Sequence, residues 1–279
     1  MKTLLITGFE PFGGETINPA WEAVKALPEQ IGGWQLRKLQ IPTVFGLAAA
    51  RTLACAAECR PDAVLCIGQA GTRSAVTPEY VGINLRHARI PDNLGNQPQD
   101  EPVVPGGPTA YFATVPVRAM TAAIEAQGIP AAVSYTAGTY VCNDLLYTLL
   151  HHYAGTPVRA GFIHVPFLPE QAPQGVASMP LAQMIRALEA AVSALGAGSE
   201  KVLHFLDIGL LRLQQPRGQG RDLRVQHAHG AQVLHTLDHA TRIALHEHLG
   251  DSRRRVPATA DAQLRREHGA VFCQRIHAA

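Results

Sequence analysis

The chain has 279 residues, 47% of them apolar and 16% charged, with a formal net charge of +2. That length gives one large domain or two small ones, and the apolar content excludes an intrinsically disordered chain. The small net charge gives no ground for polyanion binding by the chain as a whole, five cysteines are an odd number at spacings unlike a secreted disulfide scaffold, and no run reaches the ~18 apolar residues of a membrane span.

The opening KTLLITGF (2–9) reads as a core strand buried on both faces, not as a targeting segment, because Glu10 interrupts the apolar run and no small-residue cleavage site follows. NPAWEAVKAL (18–27) has helix spacing, with Asn18 as N-cap and Pro19 at the first helical position. WQLRKLQIP (34–42) alternates like a strand, FGLAAARTLACAAECR (45–60) is an alanine-rich helix, and DAVLCIGQA (62–70) is a second buried strand. Cys55 and Cys59, four apart in that helix, read as small apolar helix residues.

YVGINLRHA (80–88) alternates and predicts another strand. PDNLGNQPQDEPVVPGGP (91–108) is a long loop, of the kind that is often functional. VRAMTAAIEAQG (117–128) is a helix with a glycine stop, AAVSYT (131–136) a strand, CNDLLYTLLHHYAG (142–155) a helix, RAGFIHVPF (159–167) a strand and PLAQMIRALEAAVSALG (180–196) an amphipathic helix. Strand alternating with helix predicts an α/β fold with a mostly parallel sheet covered on both faces. Ligands of such sheets sit at the carboxyl ends of the strands, which here are GFEPFGG, GQAG, SYTAGTYVC and HVPFLPE.

From residue 201 the character changes. Residues 201–279 hold nine of the 13 histidines and 12 basic against seven acidic residues, whereas residues 1–200 have 12 basic against 15 acidic. Only AQVLHTLDHATRIALHEHLG (231–250) shows helix spacing there. The organisation read from this contrast is a domain over 1–200 and a basic, His-rich extension of uncertain order over 201–279.

Three residues at the strand ends stand out for their chemistry. Cys142 begins a helix after a tight Gly-containing connection. Unpaired N–H groups and partial positive potential at a helix start favour a thiolate and can hold an oxyanion. The alternative is a buried structural cysteine. His164 in GFIHVPF follows on a neighbouring strand and can act as its base, or it can be a satisfied core histidine. Glu79 in TPEYVGIN can orient and charge-stabilise an imidazole, or it can be a solvated loop acid.

GFEPFGG (8–14), GQAG (68–71), TPEYVGIN (77–84), ARIPDNLGNQP (88–98), SYTAGTYVCN (134–143) and GFIHVPFLPEQ (161–171) resemble, in order and spacing, the signature blocks of pyroglutamyl peptidases of the soluble cysteine type. The resemblance covers roughly residues 1–200 and not the extension. It implies a three-layer α/β/α fold, a nucleophile at Cys142, a histidine at His164 and a glutamate at Glu79. It also implies a substrate pocket around Phe9 and Phe12, with Asn18, Thr43, Gln69, Arg89, Ile90 and Val141 in matching blocks. Tyr140 stands where the family usually has phenylalanine, and its hydroxyl needs a hydrogen-bond partner if buried. The implied substrates are N-terminally pyroglutamylated peptides, with no metal or other cofactor, a cytoplasmic location and assembly into homotetramers.

The lactam ring of pyroglutamate is neutral, so a pocket for it needs apolar walls and one polar pair. Leaving a buried polar group unpaired costs roughly 1–3 kcal/mol, and a charged amine there would cost more. Arg89 either assists the oxyanion or pairs with a loop acid such as Asp92. A nucleoside-directed enzyme on the same fold would use GFEPFGG as a phosphate loop, but the segment lacks the GxxxxGKS pattern. A binding protein acting through Arg254, Arg255, Arg265 and Arg266, or through metal at His235 and His239, is the other alternative. Neither membrane nor nucleic acid is an expected partner.

Overall fold

The structure is a computed structural model and describes residues 1–196. The expectations for 201–279, the helical pattern over 231–250 included, lie outside the described residues. In chain order the elements are β1 (Lys2–Phe9), α1 (Pro19–Ala26), β2 (Gln30–Ile31), β3 (Trp34–Ile41), α2 (Leu47–Cys59), β4 (Ala63–Gln69), β5 (Thr77–Pro78), β6 (Val81–Ile83), β7 (Ala110–Phe112), α3 (Val117–Glu125), α4 (Val141–His152) and β8 (Arg159–Val165). A last helix, α5, covers 181–196.

Six strands form the central sheet in the order β2-β3-β1-β4-β8-β5. The β3-β1-β4-β8 core is parallel, with short antiparallel strands at its two edges. Strand residues alternate between the two faces because side chains on a strand have a period of two. Leu4, Ile6, Leu65, Ile67, Ile163 and Val165 belong to one apolar cluster, which also holds Ala23 and Val24 of α1, Met120 and Ile124 of α3, and Leu188 and Val192 of α5. Leu5, Val64, Cys66, Ala160 and Phe162 belong to the other, with Ala48 and Ala56 of α2 and Leu145 and Leu149 of α4. The result is the expected three-layer α/β/α fold.

β1 pairs with β3 on one side and β4 on the other. The chain therefore winds outward in both directions from this strand. The crevice beyond the carboxyl ends of β1 and β4 lies at that reversal, where α/β sheets bind ligands. Asn18 caps α1 as predicted: its Oδ1 accepts from the Ala20 N–H at 3.0 Å, a contact worth about 1 kcal/mol to a helix.

Two predicted strands differ. Of 80–88 only Val81–Ile83 is a strand, and it pairs with β7 in a separate two-stranded ribbon. The rest is held by Asn143, whose amide serves the backbone of Ile83 and Leu85, and by Arg86, which pairs with the buried Asp144. Side-chain anchors replace a continuous ladder. Residues 131–136 form no strand either. They run beside residues 76–80, touching by isolated bridges at Val76 and Glu79 and by bonds such as Tyr80 N–H to Ser134 C=O at 2.7 Å.

Candidate active site

The start of α4 rests directly on the sheet. It is held down by side chains in its first turn: Asn143 grips β6, while Asp144 accepts from the Gly46 N–H at 2.8 Å and from Arg86 Nε at 2.6 Å. Cys142 follows Val141 in this turn, so its backbone N–H is one of the helix's orphan donors. Beneath it, β4 has a glycine. A methyl group built on Gly68 would lie 3.1 Å from Cys142 Sγ and 2.7 Å from the Phe162 ring. Only the missing side chain lets the sulfur sit this low.

In the neighbouring strand, His164 is the register partner of Gly68. The imidazole therefore projects from the same face, beside the sulfur. It is buried and rests on the Phe162 ring, with centroids 4.7 Å apart. Glu79 follows β5, which pairs antiparallel with β8 through Thr77 and His164. Its amide is tied to the Phe162 carbonyl at 2.9 Å. Its Oε1 meets His164 Nδ1 at 2.7 Å and Arg73 Nη1 at 2.5 Å.

Electrostatics fix the proton positions. Burial pushes the Glu79 carboxyl up, but the hydrogen bond and charge of His164, with Ser134 and Arg73, outweigh it and hold the group below its ordinary value. Glu79 is thus an ionised, acceptor-only group. Nδ1 of His164 must donate to it, which leaves Nε2 as the imidazole's acceptor. Burial lowers the His164 pKa, against the pull of Glu79. Burial, then the Glu79 charge, pushes the Cys142 thiol up to about 12. The sequence-based expectation of a depressed thiol pKa is therefore corrected. Desolvation and a nearby carboxylate outweigh the helix terminus. The resting pair is a neutral thiol beside a neutral imidazole.

Cys142 and His164 open together into a cavity of about 370 Å³. Of the residues expected around a substrate, Phe9, Phe12, Asn18, Thr43, Gln69, Arg89 and Tyr140 line it. Ile90 and Val141 do not. Val141 is wholly buried in the core beneath α4, because the helix turn that aims Cys142 at the cavity aims its neighbour inward. The Asn18 amide and the Thr43 hydroxyl both donate to the Glu10 carbonyl, at 3.1 and 3.0 Å. They brace the turn that presents Phe12. Tyr140 donates its hydroxyl to the Pro91 carbonyl at 3.0 Å and meets Phe45 edge-on at 5.3 Å. The extra oxygen relative to phenylalanine is thereby satisfied and tied to the 91–98 loop. Asp92 does not pair with Arg89. Its carboxylate accepts from the N–H groups of Phe45, Leu94 and Asn96, and Arg89 makes no ion pair among the described residues.

Sequence reasoning missed Arg73, Thr72, Ala137 and Gly138 on the cavity wall, and it missed Gly68 as the floor. Arg73 had a signal in its position, a cation in the loop that follows the GQAG turn and leads to Glu79. Gly68→Ala tests the floor. The added methyl must move either a packed ring or the sulfur, so stability should fall by about 1–3 kcal/mol. Turnover should fall with it, while activity unchanged in a steady-state assay would contradict the close approach.

The family model for pyroglutamyl peptidase matches residues 2–197. A pyrrolidone-carboxylate peptidase of Levilactobacillus brevis is 54% identical over 196 residues, which are 69% of this chain and 96% of the relative. One from Gloeobacter violaceus is 53% identical, over 67% of this chain and 93% of the relative. Among solved structures, pyroglutamyl peptidase I of Bacillus amyloliquefaciens superposes with a TM-score of 0.68 at 46% identity, covering 71% of this chain and 98% of that one. A mutant pyrrolidone carboxyl peptidase of Pyrococcus furiosus gives 0.67 at 41% identity, covering 69% and 97%. Sequence and fold agree, and the chain belongs to the pyroglutamyl peptidase family.

Proposed function

We infer that the protein is a cysteine exopeptidase that hydrolyses the amide bond after an N-terminal pyroglutamyl residue of peptides. Family membership supports the activity. One convergence supports the residue roles: a sulfur above Gly68, the imidazole in register with that glycine, and a carboxylate on the imidazole's far nitrogen, beside an aromatic-walled cavity.

In this mechanism Cys142 Sγ attacks the pyroglutamyl carbonyl as its proton passes to His164 Nε2. The imidazolium that forms is stabilised by Glu79. The Cys142 N–H, with Arg89 as an unpaired cation at the cavity, offsets charge on the carbonyl oxygen. His164 then protonates the leaving nitrogen as the C–N bond breaks, giving a thioester and a free peptide amine. Water, giving its proton to His164, adds to the thioester. Pyroglutamate leaves as the sulfur regains a proton.

Phe9, Phe12 and Tyr140 are the apolar walls for the lactam ring. Backbone groups near Gln69, which lines the same cavity, supply the polar pair for the lactam. We also propose that residues 1–200 form the complete catalytic domain. The whole candidate site lies within 1–196, and the family match ends at residue 197. A cytoplasmic location and a homotetramer complete the reading. The free state of Cys55, Cys59, Cys66 and Cys142 suits a reducing compartment, and the tetramer rests on the family resemblance. Among the described residues no helix is long and apolar enough to cross a membrane.

The test is release of a chromophore from a pyroglutamyl amide, with the matching prolyl and glutamyl amides left intact. A chain ending at residue 200 should keep the kcat/KM of the full chain. Cleavage of all three amides alike would defeat the specificity assignment, and a dead truncated chain would defeat the domain assignment.

A further inference from the structure

Glu79 Oε1 receives two donors, His164 Nδ1 and Arg73 Nη1. The guanidinium is itself fixed. Its other terminal nitrogen, Nη2, donates to the Thr136 carbonyl at 3.0 Å, and Nη1 also donates to the Thr77 hydroxyl. Arg73 thus spans three segments, namely β5, the turn that carries Glu79, and the 131–139 connection leading into α4. A planar fork can hold two acceptors at fixed directions, which a lysine ammonium cannot. Glu79 is fully buried, and the Arg73 side chain is 25% exposed at the cavity wall. The cation therefore acts on a desolvated carboxylate from a site only partly screened by water.

We propose that Arg73 is a positioning residue for the Cys142–His164–Glu79 set, aiming the Glu79 carboxylate at the imidazole and keeping His164 unprotonated at rest. This rests on the peptidase reading above. Two requirements meet in this arrangement. The carboxylate must be charged to stabilise the imidazolium in the transition state, yet a lone carboxylate beside a buried histidine favours the imidazolium at rest as well, so that the ring takes up a proton from solvent early and is lost as a base. A cation on the same oxygen opposes early protonation. The direction of its effect on His164 is downward, after the larger effects of burial and Glu79.

The other titratable groups around the imidazole are Cys142 at the start of α4, Cys66 below it on β4, and Arg89 and Tyr140 at the cavity. None of these bonds Glu79. Loss of the Arg73 charge lets both His164 and Glu79 take up protons at higher pH. The acidic limb of the kcat/KM profile therefore moves upward.

The experiment measures full pH profiles of Arg73→Gln and Arg73→Lys on a pyroglutamyl amide, with thermal unfolding of each. For Arg73→Gln, kcat should fall on the order of 10–100-fold, the scale of a small misplacement of a catalytic group. KM should change little, and the acidic limb should rise on the order of one pH unit. Arg73→Lys should return the limb toward its original position and recover part of kcat, because it restores charge without the fork. A raised KM with kcat intact would overturn the proposal in favour of direct substrate contact. A lowered kcat with the limb unmoved in both variants would reduce Arg73 to a structural tie. Cys142→Ala separates the levels, since residual full turnover in that variant would remove the peptidase reading of the site whatever Arg73 does.

Discussion

Cys142→Ala should lower kcat by about 10⁵–10⁶-fold, on the scale of losing a nucleophile from an acyl-transfer site. The fold should survive. The sulfur is a small group above Gly68, and its replacement by a methyl leaves the staples of Asn143 and Asp144 untouched. Binding should survive as well, because the cavity walls come from other residues. The check is a progress curve on a pyroglutamyl amide together with the affinity for free pyroglutamate. A variant that binds but does not turn over agrees with nucleophilic attack by Cys142. A variant that turns over normally leaves no role for the thiol.

Glu79→Gln should cost about 10³–10⁴-fold in kcat, with KM nearly unchanged. Arg73 and His164 both donate to the one oxygen Oε1, so an amide of the same shape can keep that acceptor but not its charge. Loss of the charge removes the stabilisation of the imidazolium. In hydroxyl-based triads, the same carboxylate-to-amide change costs about 10⁴ through a wrong imidazole tautomer. A drop of less than tenfold would show that the carboxylate is not needed for proton transfer and would leave Glu79 a structural anchor of β5.

The parts of this architecture legible in the sequence are those whose signal is local. Buried strands such as LLITGF and AVLCIGQ announce themselves as apolar runs that end in glycine or polar residues. The Asn18-Pro19 pair marks the start of α1. The strand expected over 80–88 is cut short and the one expected over 131–136 does not form, because these backbones are held by Asn143, Arg86 and short bridges. Periodicity cannot distinguish a ladder from such anchors.

The candidate site divides the same way. Cys142, His164 and Glu79 could be named from their blocks. The consequences of burial could not, because the thiol pKa depends on what the fold packs over the sulfur. A helix start read alone suggests a thiolate, while the folded environment holds the thiol neutral, with a pKa of about 12. Arg73 was hidden for a related reason. Its partners Glu79, Thr77 and Thr136 lie up to 63 positions away, and no short motif joins them.

The most direct measurement is to locate the acyl group in a single turnover. Enzyme in excess is mixed with a pyroglutamyl amide, quenched in acid within the burst of amine release, and digested for peptide mass mapping. A pyroglutamyl group on the peptide that contains Cys142, absent from the Cys142→Ala protein, is the predicted result. The same group on a different residue's peptide would contradict the assignment of the nucleophile.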